Sequence, residues 1–197
     1  MSLTYILTTR ERPADILQTL QQTMPNVVRD DTRVLVCVDR DDTATIERLD
    51  EFKFGHRVII SIRPREDSRG EKCDRALTEA PADLYLVGHD CAPILSTGFD
   101  QQCMDAFDLF PDGIGVVNTP HHNAAFPAFQ APTHKLVSKL GHIYNPEYPY
   151  WFVDHELDDI ARMIGRNPYV NIDVEVAQRR PGMPLRLREL AFWTTYF

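Results

Sequence analysis

The chain has 197 residues, of which 43% are hydrophobic and 25% are charged. This composition is typical of a globular protein of one domain, and it excludes disordered, collagenous and coiled-coil chains. The 21 basic and 29 acidic residues give a formal net charge of −8, which disfavours a general nucleic-acid-binding surface.

The cysteines are spread along the chain, and no two of them form the CxxC pair of a zinc site or a redox motif: they are Cys37, Cys73, Cys91 and Cys103. This spacing favours reduced cysteines and a cytoplasmic location. The N-terminal segment has no basic stretch ahead of an apolar one, and no apolar run approaches the length of about 18 residues that spans a membrane. We therefore expect neither a signal peptide nor a membrane span.

The first hundred residues alternate between short apolar runs and longer segments of helical periodicity. This alternation predicts a parallel β-sheet covered by helices. The predicted strands are 3–8, 33–38, 57–62 and 84–87, and the predicted helices are 13–24, 43–52 and 68–80.

The pattern is less regular after residue 100. Helices are predicted over 99–107 and 153–165, a strand over 114–118, and a β-like stretch over 169–176. The segment 119–132 is predicted to be a loop. Because loops of this length in compact domains are usually functional, we interpret it as a lid or a wall of a binding site.

Several motifs of nucleotide-binding proteins and hydrolases are absent from the sequence. The Gly113-Ile114-Gly115 segment lacks the third glycine of a dinucleotide-binding loop, and there is no GxxxxGK[ST] segment. HExxH and GxSxG are also absent, which disfavours metalloproteases and serine hydrolases.

Polar residues lie at or just beyond the carboxyl ends of three of the predicted strands. They are residues 8–12 (TTRER) after the first strand, 39–42 (DRDD) after the second, and His89-Asp90 after the fourth. The carboxyl ends of parallel strands meet at one edge, where α/β sheets bind ligands. Carboxylates beside basic groups at such an edge suit a nucleoside diphosphate. A divalent cation held by Asp90 would bridge the phosphates, and basic side chains would neutralise the remaining charge.

Five segments resemble the GT-A glycosyltransferases, especially family-2-like members and their small bacterial and phage relatives with a GDD core. Residues 8–13 (TTRERP) are similar to the opening PTxNRP loop, and 36–39 (VCVD) to the strand that ends in a nucleobase-contacting aspartate. Residues 70–76 (GEKCDRA) are similar to the GxxxARN segment near the ribose and phosphates. Residues 86–93 (LVGHDCAP) resemble LxGDDxxP, and 151–157 (WFVDHEL) resemble the acidic motif that provides the catalytic base of inverting members.

The resemblance extends over about residues 3–165 and implies a Rossmann-like α/β fold, with a mixed, mainly parallel sheet flanked by helices. It implies a single domain over 1–197, in which 1–100 is the nucleotide-binding half and 101–197 is the acceptor half with a C-terminal tail. The implied reaction transfers a sugar from a nucleoside diphosphate sugar to a hydroxyl-bearing acceptor, and the implied cofactor is Mn²⁺ or Mg²⁺.

The resemblance also implies roles for individual residues. Asp154 would be the catalytic base, and His89 and Asp90 would be the metal ligands. The implied acceptor contacts are Trp151, His155 and Glu156. The implied contacts with the nucleotide-sugar are Thr8, Thr9, Arg10, Arg12, Asp39, Asp41, Lys72, Arg75, His89 and Asp90.

The sequence also departs from the family pattern. His89 occupies the position of an aspartate, which depletes the oxygen shell that Mg²⁺ prefers, although histidine can bind Mn²⁺. No histidine follows His155, in the tail where related chains often place a ligand. Arg179 and Arg180 would then neutralise the diphosphate instead.

Structural roles remain open for many of these residues. Asp41 and Asp154 precede or begin predicted helices and would also serve as caps or first-turn charges. Lys72 and Arg75 would also belong to the solvated face of a helix, and Trp151 to the packing of the protein.

Two other functions also remain open. A nucleotidyltransferase is disfavoured, because the loop after the first strand lacks the expected glycines. A catalytically silent GT-A-like domain would bind a nucleotide, a glycan or a protein partner, and His89 is an argument in its favour.

Overall fold

The structure is a computed structural model that describes residues 1–120, 127–148, 151–175 and 194–195. Within these ranges the strands are β1 (Leu3–Thr8), β2 (Thr32–Asp39), β3 (Val58–Arg63), β4 (Leu84–His89), β5 (Val116–Asn118) and β6 (Gln130–Pro132). The helices are α1 (Pro13–Thr23), α2 (Thr43–Asp50), α3 (Arg69–Asp74), α4 (Ala76–Glu79), α5 (Phe99–Phe107), α6 (His134–Leu140) and α7 (Val153–Met163), and a 3₁₀ turn follows α1 at Met24–Asn26.

The strands form one mixed sheet in the order β3-β2-β1-β4-β6-β5. β1 to β4 are parallel, whereas β6 pairs antiparallel with both β4 and β5. This confirms the predicted α/β class with a mainly parallel sheet. Thr8 lies between Cys37 of β2 and His89 of β4, so the central strands end level with one another. The segments that follow them therefore meet at one edge.

Hydrophobic residues pack on both faces of the sheet. Ile16 of α1 and Phe99 of α5 belong to one buried cluster, and Val137 of α6 and Leu157 of α7 belong to the other. Side chains of a strand alternate between the two faces, so each central strand contributes to both clusters. This explains why these strands are continuously apolar in the sequence.

The predicted helix over 68–80 is two short helices, α3 and α4, with Arg75 at their junction. Ser68 caps α3: its hydroxyl accepts a hydrogen bond from the Glu71 N–H, and the Glu71 carboxylate accepts one from the Ser68 N–H. This reciprocal capping box fixes where α3 begins, next to the end of β3.

The predicted loop over 119–132 ends in a strand, because β6 occupies its last three residues. A three-residue strand has too few side chains to give a periodic pattern. The middle of this loop, 121–126, lies outside the described residues, as do Arg179 and Arg180, so the lid and the tail arginines stay predictions.

The predicted β-like stretch over 169–176 forms isolated bridges rather than a strand within the described residues. Tyr169 pairs with Asn118, and Val174 pairs with Ile94. This segment therefore packs along β5 and the chain that follows β4. No helix in the described ranges is long and apolar enough to span a membrane.

Candidate functional site

The loop after β1 contacts the residue that follows β4. The Thr9 hydroxyl donates a hydrogen bond to Asp90 Oδ2 at 2.9 Å, and Arg12 Nη1 donates one to Asp90 Oδ1 at 3.0 Å. The Thr19 hydroxyl of α1 donates to the Asp90 carbonyl at 2.9 Å. Burial raises the pKa of the Asp90 carboxyl, and Arg12 and Thr9 oppose this effect. Three of the predicted site residues thus form one hydrogen-bonded group.

A second group surrounds Asp39 at the end of β2. Arg10 Nη1 lies 2.9 Å from Asp39 Oδ2, and Lys72 Nζ of α3 lies 2.7 Å from Asp39 Oδ1. Arg10 also binds both oxygens of Asp41, at 2.8 and 3.0 Å, which raises the pKa of Arg10 and lowers that of Asp41. The buried Asp39 therefore holds two cationic side chains in place at the edge of the sheet.

Arg75 is enclosed beneath this edge, with only 1% of its side chain exposed. Its Nη1 donates to the carbonyls of Val38 and Ser61 at 3.1 and 2.9 Å, and its Nη2 lies 2.6 Å from Glu66 Oε2. Nη2 is also 3.9 Å from Asp39 Oδ1. These contacts join β2, β3 and the loop after β3, which suits a positioning role better than direct contact with a ligand.

Arg69 lies beside the end of β4, although it is not among the predicted site residues. Its Nη2 donates to the Gly88 carbonyl at 2.9 Å, and its guanidinium carbon lies 5.4 Å from the centre of the Tyr144 ring. The sequence places Arg69 at the start of a predicted helix that follows a parallel strand. Arg69 lies outside the segments that resemble the family, so it was not predicted as a site residue.

His89 lies among charged groups of both signs. Burial and the positive charges of Arg69 and Arg12 together lower the pKa of His89 to about 3, although the negative charge of Asp154 opposes them. Its ring packs 5.6 Å from the ring of Phe129, centre to centre. His89 is therefore neutral at physiological pH.

Asp154 is in the first turn of α7, and its negative charge acts on His89. Its Oδ1 accepts a hydrogen bond from the His155 backbone at 3.1 Å and lies 3.0 Å from His155 Nδ1. Burial favours the neutral acid, but the hydrogen bond from His155 and the charges of His155 and Arg69 outweigh it, so the pKa of Asp154 is lowered. The Asp154 side chain is 31% exposed, which leaves an ionised carboxylate accessible.

Buried residues of β6 and of the loop between α6 and α7 position the start of α7. Gln130 Nε2 donates to the Asp154 carbonyl at 3.0 Å, and the Tyr144 hydroxyl donates to Gln130 Oε1 at 3.0 Å. Sequence reasoning missed Gln130, because β6 is too short to give a periodic pattern, and it missed Tyr144, which lies in an irregular loop. Glu156 accepts a hydrogen bond from Asn145 at 3.0 Å, and Trp151 lies partly buried before the helix.

The donor set does not fit a divalent cation well. Both Asp90 oxygens accept hydrogen bonds, and the positive charge of Arg12 at 3.0 Å would repel a second cation. The ring of His89 bonds to the backbone of Ala128. Across the described ranges, no group of three or more His, Cys, Asp or Glu side chains is arranged to hold a metal ion.

Solved structures of nucleotide-sugar glycosyltransferases have the same fold. The mannosyltransferase PcManGT from Pyrobaculum calidifontis, solved with GDP-Man and Mn²⁺, matches with a TM-score of 0.69 at 14% identity, over 86% of this chain and 54% of that one. S. aureus TarS with UDP-GlcNAc matches with a TM-score of 0.68 at 12% identity, over 92% and 60%.

A third match is glucosyl-3-phosphoglycerate synthase from Mycobacterium tuberculosis, solved with Mn²⁺, UDP and phosphoglyceric acid. Its TM-score is 0.67 at 16% identity, over 96% of this chain and 73% of that one. The chain thus spans little more than half the length of the first two proteins. No protein-family model matches the sequence, and no curated protein is significantly similar to it. The structural matches show that the chain has the fold of the GT-A glycosyltransferases.

Proposed function

We propose that the chain is a family-2-like glycosyltransferase that transfers a sugar from a nucleoside diphosphate sugar to a hydroxyl-bearing acceptor. The observation that carries this proposal is the meeting of two groups at one edge of a GT-A sheet. One is the cationic cluster around Asp39 and Asp90, and the other is the ionised carboxylate of Asp154. The first suits the donor diphosphate and the second suits deprotonation of an acceptor.

The donor nucleotide binds along the loops that follow β1, β2 and β4. Arg10 and Lys72, both held by Asp39, face the nucleotide together with Thr8 at the end of β1 and Thr9 in the loop that follows. Asp39 and Arg75 act mainly as positioning residues, because both side chains are about 99% buried. The nucleotides bound to the three solved neighbours, GDP-Man, UDP-GlcNAc and UDP, support this donor class.

Asp154 is the general base in this proposal. It takes the proton of the acceptor hydroxyl while that oxygen forms a bond to the anomeric carbon, and the diphosphate leaves with the electrons of the broken bond. Such a base contributes about 10²- to 10⁴-fold to the rate. His155 keeps Asp154 ionised, and Trp151, His155 and Glu156 form the acceptor side of the site.

A requirement for Mn²⁺ or Mg²⁺ stays a prediction from the resemblance. Two of the solved neighbours described above contain Mn²⁺. In this chain His89 and Asp90 are the residues at the corresponding position of the motif, and their donor atoms do not fit the ion well. No catalytic step is therefore derived through a metal.

The experiment that tests the function measures release of nucleoside diphosphate from UDP-Glc, UDP-GlcNAc and GDP-Man, with and without Mn²⁺. We expect slow hydrolysis of one donor in the absence of an acceptor. Replacement of the base, Asp154→Asn, should lower this rate by about 10²-fold or more, because the amide cannot accept the proton. Nucleotide affinity should stay within about twofold of wild type, because the base lies on the acceptor side.

Asp159→Asn is the matched control, because Asp159 is an exposed carboxylate on the same helix. It should leave hydrolysis unchanged. Equal rates of donor hydrolysis in the wild type and in Asp154→Asn would show that Asp154 is not the base. Nucleotide binding without turnover of any donor would favour the catalytically silent domain instead.

A further inference from the structure

We propose that Arg12 and Arg69 bind the donor diphosphate directly and take the place of a divalent cation at the end of β4. This inference rests on the proposed function, since it concerns how the same site binds a nucleoside diphosphate. It changes the role of Asp90 from a metal ligand to a residue that positions Arg12.

Arg12 approaches the end of β4 from the loop after β1. Its Nη1 contacts Asp90 Oδ1 at 3.0 Å, on the carboxylate that the family motif assigns to the metal. Asp90 is only 7% exposed, whereas 31% of the Arg12 side chain is exposed. The buried Asp90 carboxylate thus holds the Arg12 side chain in place, and the Arg12 side chain is the more exposed of the two.

Arg69 approaches the same strand end from α3. Its Nη2 is fixed by the Gly88 carbonyl at 2.9 Å, and the Tyr144 ring lies beside its guanidinium. Gly70, the next residue, has no space for a larger side chain, because an added Cβ would lie 2.4 Å from the Tyr144 carbonyl oxygen. The backbone that presents Arg69 is therefore tightly packed against the loop before α7.

The two arginines flank one residue, His89, which follows Gly88 and precedes Asp90. Both guanidinium charges lower the pKa of His89, so both lie within electrostatic range of its ring. The nearby acids are Asp90, Asp154 and, on α1, Asp15. The end of β4 thus has two cations near a neutral imidazole, one bound to the residue before His89 and one to the residue after it.

This arrangement suits a diphosphate leaving group. Guanidinium groups bind phosphate oxygens with paired, charge-assisted hydrogen bonds, and their charge does not depend on pH in the physiological range. As the glycosidic bond breaks, negative charge accumulates on the diphosphate, and fixed cations stabilise it without reorganisation. A cation bound to Asp90 would have to displace Arg12 from the same carboxylate.

The test is calorimetric titration of the full chain with UDP, GDP, CDP, ADP and dTDP and with the matching monophosphates, in EDTA and again with excess Mn²⁺. We expect one diphosphate to bind in EDTA, with an affinity that Mn²⁺ changes by less than about threefold. Arg12→Gln and Arg69→Gln should each weaken this diphosphate by about tenfold or more, and the monophosphate by less, because each removes charge-assisted bonds to phosphate.

Arg33→Gln is the matched control, because it removes the same charge from an exposed site near the amino end of β2, and it should leave binding unchanged. Arg12→Gln alone leaves the buried Asp90 carboxylate without its cationic partner. The double variant Arg12→Gln with Asp90→Asn removes both charges. The double variant should remain folded by circular dichroism and lose the same affinity.

Diphosphate binding that disappears in EDTA and returns with Mn²⁺ would overturn the proposal and leave the glycosyltransferase function intact. Full affinity in the double variant and in Arg69→Gln would overturn it as well. Binding of no nucleotide, with or without Mn²⁺, would overturn the proposed function itself.

Discussion

Asp154 and His155 are neighbouring residues whose pKa values shift in opposite directions. Their hydrogen bond lowers the pKa of the carboxyl, against the effect of burial, and raises that of the imidazole. In its proposed role as a base, Asp154 must be deprotonated, and a lowered pKa extends the range in which it accepts a proton to more acidic pH. His155 carries its charge below its raised pKa, so its effect on Asp154 weakens as the pH rises through that pKa.

The pair predicts a change in the pH profile of donor hydrolysis for His155→Gln. Without the positive charge of His155, burial is less opposed and the pKa of Asp154 rises. The acid limb of the kcat/KM profile should then move to higher pH. The exposed His56 provides the control variant His56→Gln, which should keep the wild-type profile. An unmoved acid limb in His155→Gln would contradict the assignment of that limb to Asp154.

Arg75 shows how a charged residue of a binding motif becomes part of the interior. Its guanidinium bonds to carbonyls at the ends of two strands and to Glu66. Arg75→Gln should lower the free energy of unfolding by about 3 kcal/mol, because it leaves buried acceptors and a carboxylate without a partner.

Chemical denaturation measures this loss. The comparison is Arg48→Gln, which removes an exposed ion pair with Glu51 and should cost less than about 1 kcal/mol. Equal losses in the two variants would show that the Arg75 contacts contribute no more than a surface pair.

At the scale of elements, α3 links the parallel sheet to the loop between α6 and α7. Lys72 contacts Asp39 of β2, Arg69 contacts Gly88 of β4, and Asp74 Oδ1 accepts a hydrogen bond from the Ile143 N–H at 2.7 Å. This helix of six residues thus connects β2, β4 and the loop between α6 and α7.

Asp74 makes the attachment of α3 dependent on pH. Burial raises its pKa to about 6, so the folded protein holds this proton more tightly than the unfolded chain does. Stability is therefore lost as the pH rises from about 4 to 6. The variant Asp74→Asn has no charge to bury at this position. Its free energy of unfolding should therefore rise by about 1–2 kcal/mol relative to that of the wild type when the pH is raised from 4 to 7, after allowance for the partial exposure of this residue.

Urea denaturation at both pH values measures this gain. Asp50→Asn, an exposed carboxylate at the end of α2, is the control and should show no such pH dependence. A constant difference between wild type and Asp74→Asn at pH 4 and 7 would contradict the raised pKa.

At the scale of the molecule, the sheet separates two hydrophobic clusters and belongs to both. Leu86 and Val87 are adjacent in β4 and buried in opposite clusters. Because one strand supports both clusters, loss of packing on one face destabilises the other. The described core should therefore unfold as one cooperative unit.

Leu86→Ala and Val87→Ala test this coupling. Each should lower the free energy of unfolding by about 2–4 kcal/mol, through lost burial and a cavity. Thermal unfolding followed by far-ultraviolet circular dichroism and by tryptophan fluorescence should keep one coincident transition in both variants. Separate transitions in either variant would mean that the two faces fold independently.

The sequence by itself determined the class of the fold and the edge of the sheet at which the polar segments meet. Continuous apolar runs separated by helical periodicity specify parallel strands, and the order of strands along the chain places residues 8–12, 39–42 and 89–90 at their carboxyl ends. These are local properties of the chain, so they can be read without coordinates.

Only the tertiary structure decided which charges pair at that edge. Arg12 meets Asp90 across 78 positions of the chain, and Arg69 reaches Gly88 across 19. Gln130 and Tyr144 position Asp154 through β6, which is too short to be recognised from its own residues. Pairings of this kind depend on how helices and loops pack on the sheet. Hydrophobic periodicity shows which face of an element is buried. It does not show which side chains that face contacts, so these pairings could not be predicted from the sequence.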